Sequence, residues 1–193
     1  MNKLKIKIIL ASVRQGRFGD KPAKWIYDIA ERMEELSPEI LDLLDHQLPM
    51  FAEVVSPAHT QGEYRLKETN IWAKKIAEAD GFIIVTPEYN HGYPASLKNN
   101  IDYLYKEWLK KPVGFVSYGS TGGARVIEQL RQVAIELQMA PIRNSVHINA
   151  PWNLVEKDGT LKSGGLDPYK DSAENLLTQL IWWARALKNA REE

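Results

Sequence analysis

The chain has 193 residues, 44% hydrophobic and 26% charged, enough for one full core and short for two, so a single domain spanning 1–193 is expected. Lysine plus arginine equals aspartate plus glutamate at 25 each, which leaves no field for a polyanion and argues against nucleic acid. No cysteine is present, excluding disulfides, a thiolate nucleophile and cysteine-held metal centres.

The apolar run Ile6, Ile8, Ile9 and Leu10 is too short for a signal core or a membrane span, and no later run approaches ~20 residues. The expectation is a soluble, cytoplasmic protein with no membrane partner. Lys5 to Ala11 reads as a strand; Lys21 to Leu36 has helical spacing, and Ser37-Pro38 is expected to stop it. Ile40 to Leu44 is a second strand, and residues 47–61 form an irregular loop without recognisable chemistry, functional or oligomer-facing. Then follow a helix over Tyr64 to Ala79, a buried strand over Gly81 to Thr86, a helix over Ser96 to Trp108, a strand over Pro112 to Tyr118, a helix over Ala124 to Met139 and a strand over Ile142 to Ile148. After turn-rich residues 151–168, a helix over Ala173 to Ala190 closes the chain. Five strands alternating with helices predict an α/β fold with a parallel sheet and ligands beyond the carboxyl ends of its strands.

Three post-strand loops would meet there. The first, Ser12-Val13-Arg14-Gln15-Gly16-Arg17-Phe18, places a hydroxyl and two guanidinium groups ahead of a helix N-terminus, which suits a phosphate; two solvated arginines in a tight turn is the plainer reading. The second, Pro87-Glu88-Tyr89-Asn90-His91-Gly92-Tyr93-Pro94, is a proline-bracketed turn able to offer flat surface and backbone hydrogen bonds to a heteroaromatic ring, or simply to shape a connection. The third, Ser117-Tyr118-Gly119-Ser120-Thr121-Gly122-Gly123, can aim backbone N–H groups at a carbonyl edge, although it also reads as a flexible turn.

With ASVRQGR, PEYNHGYP and SYGSTGG in this order, the chain resembles the NADPH-dependent FMN reductase family, notably its flavodoxin-like quinone, azo-dye and chromate reductases, from Lys5 to about Ile148. The resemblance implies a three-layer α/β/α fold and a non-covalent FMN. It implies that Ser12, Arg14 and Arg17, with the N–H groups of Gln15, Gly16 and Phe18, hold the phosphate. Pro87, Glu88, Tyr89, Asn90 and Gly92 would line the isoalloxazine and ribityl, and Ser117, Tyr118, Gly119, Gly122 and Gly123 the pyrimidine edge. Ala11 stands where many relatives have glycine, and Arg17 where many have serine or threonine. Electrons would pass from NADPH or NADH through FMN to a small-molecule acceptor: a quinone, azo compound, metal oxyanion or free flavin. No catalytic side chain is needed, because the chemistry is the cofactor's.

The alternatives are a non-catalytic flavodoxin-like electron carrier and a binding domain. Flavodoxins lack paired arginines and are usually strongly acidic. A hydrolase lacks its Gly-x-Ser-x-Gly elbow, a Walker loop lacks its Lys-Ser/Thr, and His46, His59, His91 and His147 have no metal-binding spacing. Glu88 is expected to be a solvated loop carboxylate without an acid-base role. Trp108, Trp152, Trp182 and Trp183 are expected to be packing residues rather than to stack on an acceptor. In relatives the helices after the two flavin-edge loops pair across a two-fold axis, implying a homodimer or homotetramer; Tyr103, Tyr105 and Trp108 would give a sticky surface or be core.

Overall fold

The computed structural model describes residues 2–60 and 62–193. Its elements follow the chain as β1 Leu4–Leu10, α1 Asp20–Glu31, β2 Leu36–Asp42, α2 Lys67–Ala77, β3 Gly81–Pro87, α3 Ala95–Asp102, β4 Pro112–Gly119, α4 Ala124–Glu136, β5 Ala140–Asn149 and α5 Lys170–Glu192. All strand pairs are parallel, in the order β2-β1-β3-β4-β5, so the chain reverses across the sheet between β1 and β3. This is the expected flavodoxin-like fold.

Parallel strands need covering on both faces, and two apolar layers do so. Helices α2, α3 and α4 enclose Ile9, Trp72, Phe82, Trp108 and Phe115 on one face, while α1 and α5 enclose Ile8, Ile26, Val116, Leu176 and Leu180 on the other. β3 is buried along its whole length, as its unbroken apolar sequence demands.

Several boundaries differ from expectation. α1 ends at Glu31, and Ser37-Pro38, expected to terminate it, lie inside β2. β2 is an edge strand that pairs only with β1, where a proline's missing N–H costs no ladder partner on the outer side. α3 stops at Asp102, and Tyr103 and Trp108 beyond it are buried core residues, which removes them from any surface for a second copy. Trp152 and Trp182 are exposed, contrary to the expected packing role. The irregular loop at 47–61 is present, apart from Gln61, which falls outside the described residues. No helix among the described residues is long and apolar enough to cross a membrane.

Candidate functional site

β1, β3 and β4 deliver the three loops to one end of the sheet, as parallel order requires, and there they border a cleft of about 510 Å³. Arg14, Gly16, Phe18 and Lys21 line one part of it; Pro87, Glu88, Tyr89, Tyr118 and Gly119 line another. A larger cavity of about 600 Å³ is lined by Val54, Tyr64 and Tyr103 among others. None of the three loops reaches it, so the smaller cleft is the candidate site.

The first loop turns at Gly16, whose φ of +64° suits glycine, and runs into α1, where no side chain caps the helix N-terminus. Arg14 is exposed and free to meet an anion, and its guanidinium lies 5.9 Å from the Tyr89 ring centroid. Arg17 differs from the expected phosphate ligand. Although it borders the cleft, it is buried: its Nε donates to Asp20 at 2.8 Å, and its Nη1 to the Ser12 carbonyl at 2.5 Å and to Asp42 at 2.8 Å. Its Nη2 also pairs with Asp42. Hydrogen bonding to Asp42 is the main reason that its pKa is raised, against the opposing effect of burial. Arg17 therefore ties the loop to the end of β2. Ser12 is fully buried, with its hydroxyl 2.8 Å from that of Tyr89, and links the first loop to the second instead of lining the cleft.

The second loop is a tight hairpin turn in which Tyr89 and Gly92 exchange both backbone hydrogen bonds at 2.9 Å. Its central residues Asn90 and His91 have φ of +49° and +69°, the paired left-handed conformation that such a turn demands. Two residues other than glycine held there mark a locally strained segment that the surroundings must fix. Gln129 of α4 donates to the His91 carbonyl at 2.8 Å, and Arg125 contacts the His91 ring at 2.8 Å. Glu88 is not solvated. Its carboxylate accepts from Arg125 Nε at 2.7 Å and from the backbone N–H groups of Arg125 and Val126 at 3.1 and 3.3 Å, in the first turn of α4. Asn90 and Gly92 shape the turn but do not border the cleft.

In the third loop Gly119 and Ser120 border the cleft, whereas Ser117, Gly122 and Gly123 sit behind it. The Ser117 hydroxyl donates to the Gly122 carbonyl at 2.5 Å, and a Cβ on Gly123, at φ +72°, would lie 2.6 Å from Ser117 Cβ. These residues build the loop rather than face a ligand. Tyr118 lies on the cleft floor with its ring edge-on to Phe18, and its hydroxyl is packed against Gly19. That hydroxyl is buried without a hydrogen-bond partner among the described residues, and burial raises its pKa.

The segment after β5 supplies a wall that the sequence did not reveal: Pro151, Trp152, Val155 and Gly159. Its one advance signal was position, since it too follows the carboxyl end of a strand.

An exposed arginine and a lysine beside an uncapped helix N-terminus fit a phosphate. A rigid floor of Pro87, Tyr89, Tyr118 and Gly119 fits a flat ring. The residues present thus suit FMN.

The pattern of the NADPH-dependent FMN reductases matches residues 4–153. An NAD(P)H-dependent FMN reductase of Schizosaccharomyces pombe is 42% identical over 139 residues, 71% of this chain and 70% of that protein. A quinone reductase of Escherichia coli K12 is 34% identical over 143 residues, 70% of this chain and 71% of that protein. In fold, the chain is similar to the flavoenzyme NAD(P)H:acceptor oxidoreductase FerB of Paracoccus denitrificans, with TM-score 0.74 at 19% identity, covering 95% of this chain and 98% of that one.

Proposed function

The chain belongs to the NADPH-dependent FMN reductase family, and on that premise we propose that it holds FMN in the cleft and reduces a small acceptor, such as a quinone, at the expense of NAD(P)H. The observation that carries this reading is one cleft, formed by the three loops, that combines free cationic groups at a helix N-terminus with a flat, rigid floor.

Arg14 and Lys21 take the phosphate, together with N–H groups of the first loop and the first turn of α1. Pro87, Tyr89, Tyr118 and Gly119 support the ring. Bound there, FMN would supply the two-electron chemistry that links reduced nicotinamide to the acceptor. The chain's own part is to position both reactants and to keep the floor from yielding. Glu88 is the one carboxylate bordering the cleft among the described residues, and its engagement by Arg125 and α4 supports a part in fixing the loop over one in proton transfer.

Three companion proposals rest on the same reading. Residues 1–193 act as one FMN-binding domain, two copies associate as a homodimer or a pair of dimers, and the protein works in the cytoplasm, where reduced nicotinamide is available. Sedimentation at micromolar concentration and cell fractionation test the last two. The central experiment is the visible spectrum of the purified protein with FMN added. A flavin spectrum retained through gel filtration and bleached by NADPH is expected; a colourless protein that neither binds FMN nor consumes NADPH with a quinone would refute the function.

A further inference from the structure

Trp152 stands out among the large exposed side chains by the rigidity of its mount. It lies in the short 3-10 turn Pro151–Leu154 directly after β5, and 60% of its surface is accessible. Yet the residues on either side of it are tied down. The Ala150 N–H donates to the Gly119 carbonyl, the Asn153 N–H to the Ala150 carbonyl and the Lys162 N–H to the Leu154 carbonyl, each at 2.9 Å, and the Lys162 ammonium reaches the Asn153 carbonyl at 2.9 Å. Ala150 itself is forced to φ +44° and ψ +59°, a left-handed conformation that an alanine adopts only at a cost. Strain of this kind is characteristic of positions where a side chain must be aimed. Here it turns the chain at the end of β5 so that Pro151 and Trp152 border the cleft.

The other strongly exposed tryptophan, Trp182, packs edge-on against Trp183 on the outside of α5. Trp152 has no aromatic partner among the described residues, and its indole is available to a ligand. We propose that Trp152 is the stacking face for the electron acceptor, and that it confers a preference for planar conjugated acceptors of the quinone type. The proposal rests on the function given above.

The chemistry of the reactants supports the acceptor as the group that needs this indole. FMN has its phosphate handle at Arg14 and Lys21 and its floor on the second and third loops. NAD(P)H carries ribose and phosphate groups with which to anchor itself. A simple quinone has only a flat face and two carbonyls, so an indole supplies a large share of its binding. In each turnover the quinone takes two electrons from NAD(P)H and two protons, one originating on the donor and one from solvent, and leaves as the hydroquinone.

The test compares FMN-loaded wild type with Trp152→Ala, Trp152→Leu and Trp152→Phe. Menadione serves as the planar acceptor, and ferricyanide, an octahedral anion reduced one electron at a time, as the acceptor without a flat face. W152A and W152L are expected to raise the menadione KM and its calorimetric Kd for the oxidised holoprotein roughly tenfold, with W152F within about twofold of wild type. The KM values for ferricyanide and NADPH and the affinity for FMN are expected to stay within about twofold. Unchanged menadione binding in W152A, an equal loss with ferricyanide, or a parallel loss of FMN affinity would each overturn the proposal. A wild type that fails to bind FMN would instead remove the functional reading on which the proposal stands, a result visible before any variant is measured.

Discussion

Glu88 and Arg125, 37 positions apart, join the loop after β3 to the first turn of α4, with the carboxylate almost fully buried and the guanidinium partly exposed. Burial alone would raise the Glu88 pKa. The Arg125 side chain and the N–H groups of Val126 and Arg125 outweigh it and hold the carboxyl below its usual 4.5. The pair locks the strained Asn90-His91 turn to a helix, which makes the floor of the cleft stiff.

Replacing Glu88 by Gln is expected to cost about 2 kcal/mol near neutral pH, less than a fully buried pair because Arg125 reaches solvent. An acid with a lowered folded pKa contributes stability above its unfolded value and loses it as pH falls through the folded one. The difference between wild type and E88Q should therefore shrink as pH drops below 4.5, as urea denaturation at a series of pH values would show. Reduction of bound flavin by NADPH should change by no more than a few-fold, because hydride transfer needs no proton from this group.

Arg14 and Arg17 should separate cleanly. Arg14→Ala is expected to weaken FMN by about 10- to 100-fold, from the loss of a charge-assisted bond to phosphate, and to leave riboflavin affinity unchanged. Arg17→Ala strands Asp42 and frees the loop, so it should lower stability by about 3 kcal/mol and weaken FMN and riboflavin alike. Fluorescence titrations with both flavins distinguish the two.

Among the glycines, Gly123→Ala should be severe, about 3 kcal/mol or more, because a left-handed φ combines with a Cβ 2.6 Å from Ser117 Cβ. Gly16→Ala, at φ +64° with no atom within 4 Å of the new Cβ, should cost only about 1 kcal/mol. Denaturation midpoints of the two variants without flavin provide the check.

Lys111 is buried, and its ammonium donates to the Ile76 and Ala77 carbonyls at the end of α2, at 2.8 and 2.9 Å. Burial, aided by Arg191 and opposed by Asp80 and Glu107, pushes its pKa down from 10.5 to about 8. Between these values the unfolded chain binds the extra proton, so stability should rise as pH climbs from about 8 to 10.5. The rise, up to about 3 kcal/mol, should be absent in Lys111→Met when the two proteins are denatured side by side across that range.

The fold was legible because each of its main devices is local. The unbroken apolar run of β3 and the helical spacing of Ala23, Ile26 and Ala30 are written in adjacent residues. Pro38 misled because its effect depends on β2 being an edge strand, which is decided by the whole topology. At the site, the three loops announced themselves by composition, but the division of labour among their side chains did not. Arg14 and Arg17 look equivalent in sequence; only the approach of Asp42 from the end of β2 turns one of them inward. Glu88 is buried because α4 begins against it, and Trp152 reaches the cleft because the Ala150 N–H is bound by the Gly119 carbonyl. These relationships cross tens of residues, and periodicity carries no information about them.

The walls of the cleft come from segments scattered between Arg14 and Gly159, each at the end of a strand whose neighbours in the sheet are distant in sequence. No fragment of the chain can assemble the pocket, so a ligand there binds the finished sheet and draws on the stability of the entire molecule. Saturating FMN should accordingly slow amide hydrogen exchange in the slowest protons of β1, β3 and β4, and not merely in the loops it touches. The cofactor then acts as a brake on global unfolding.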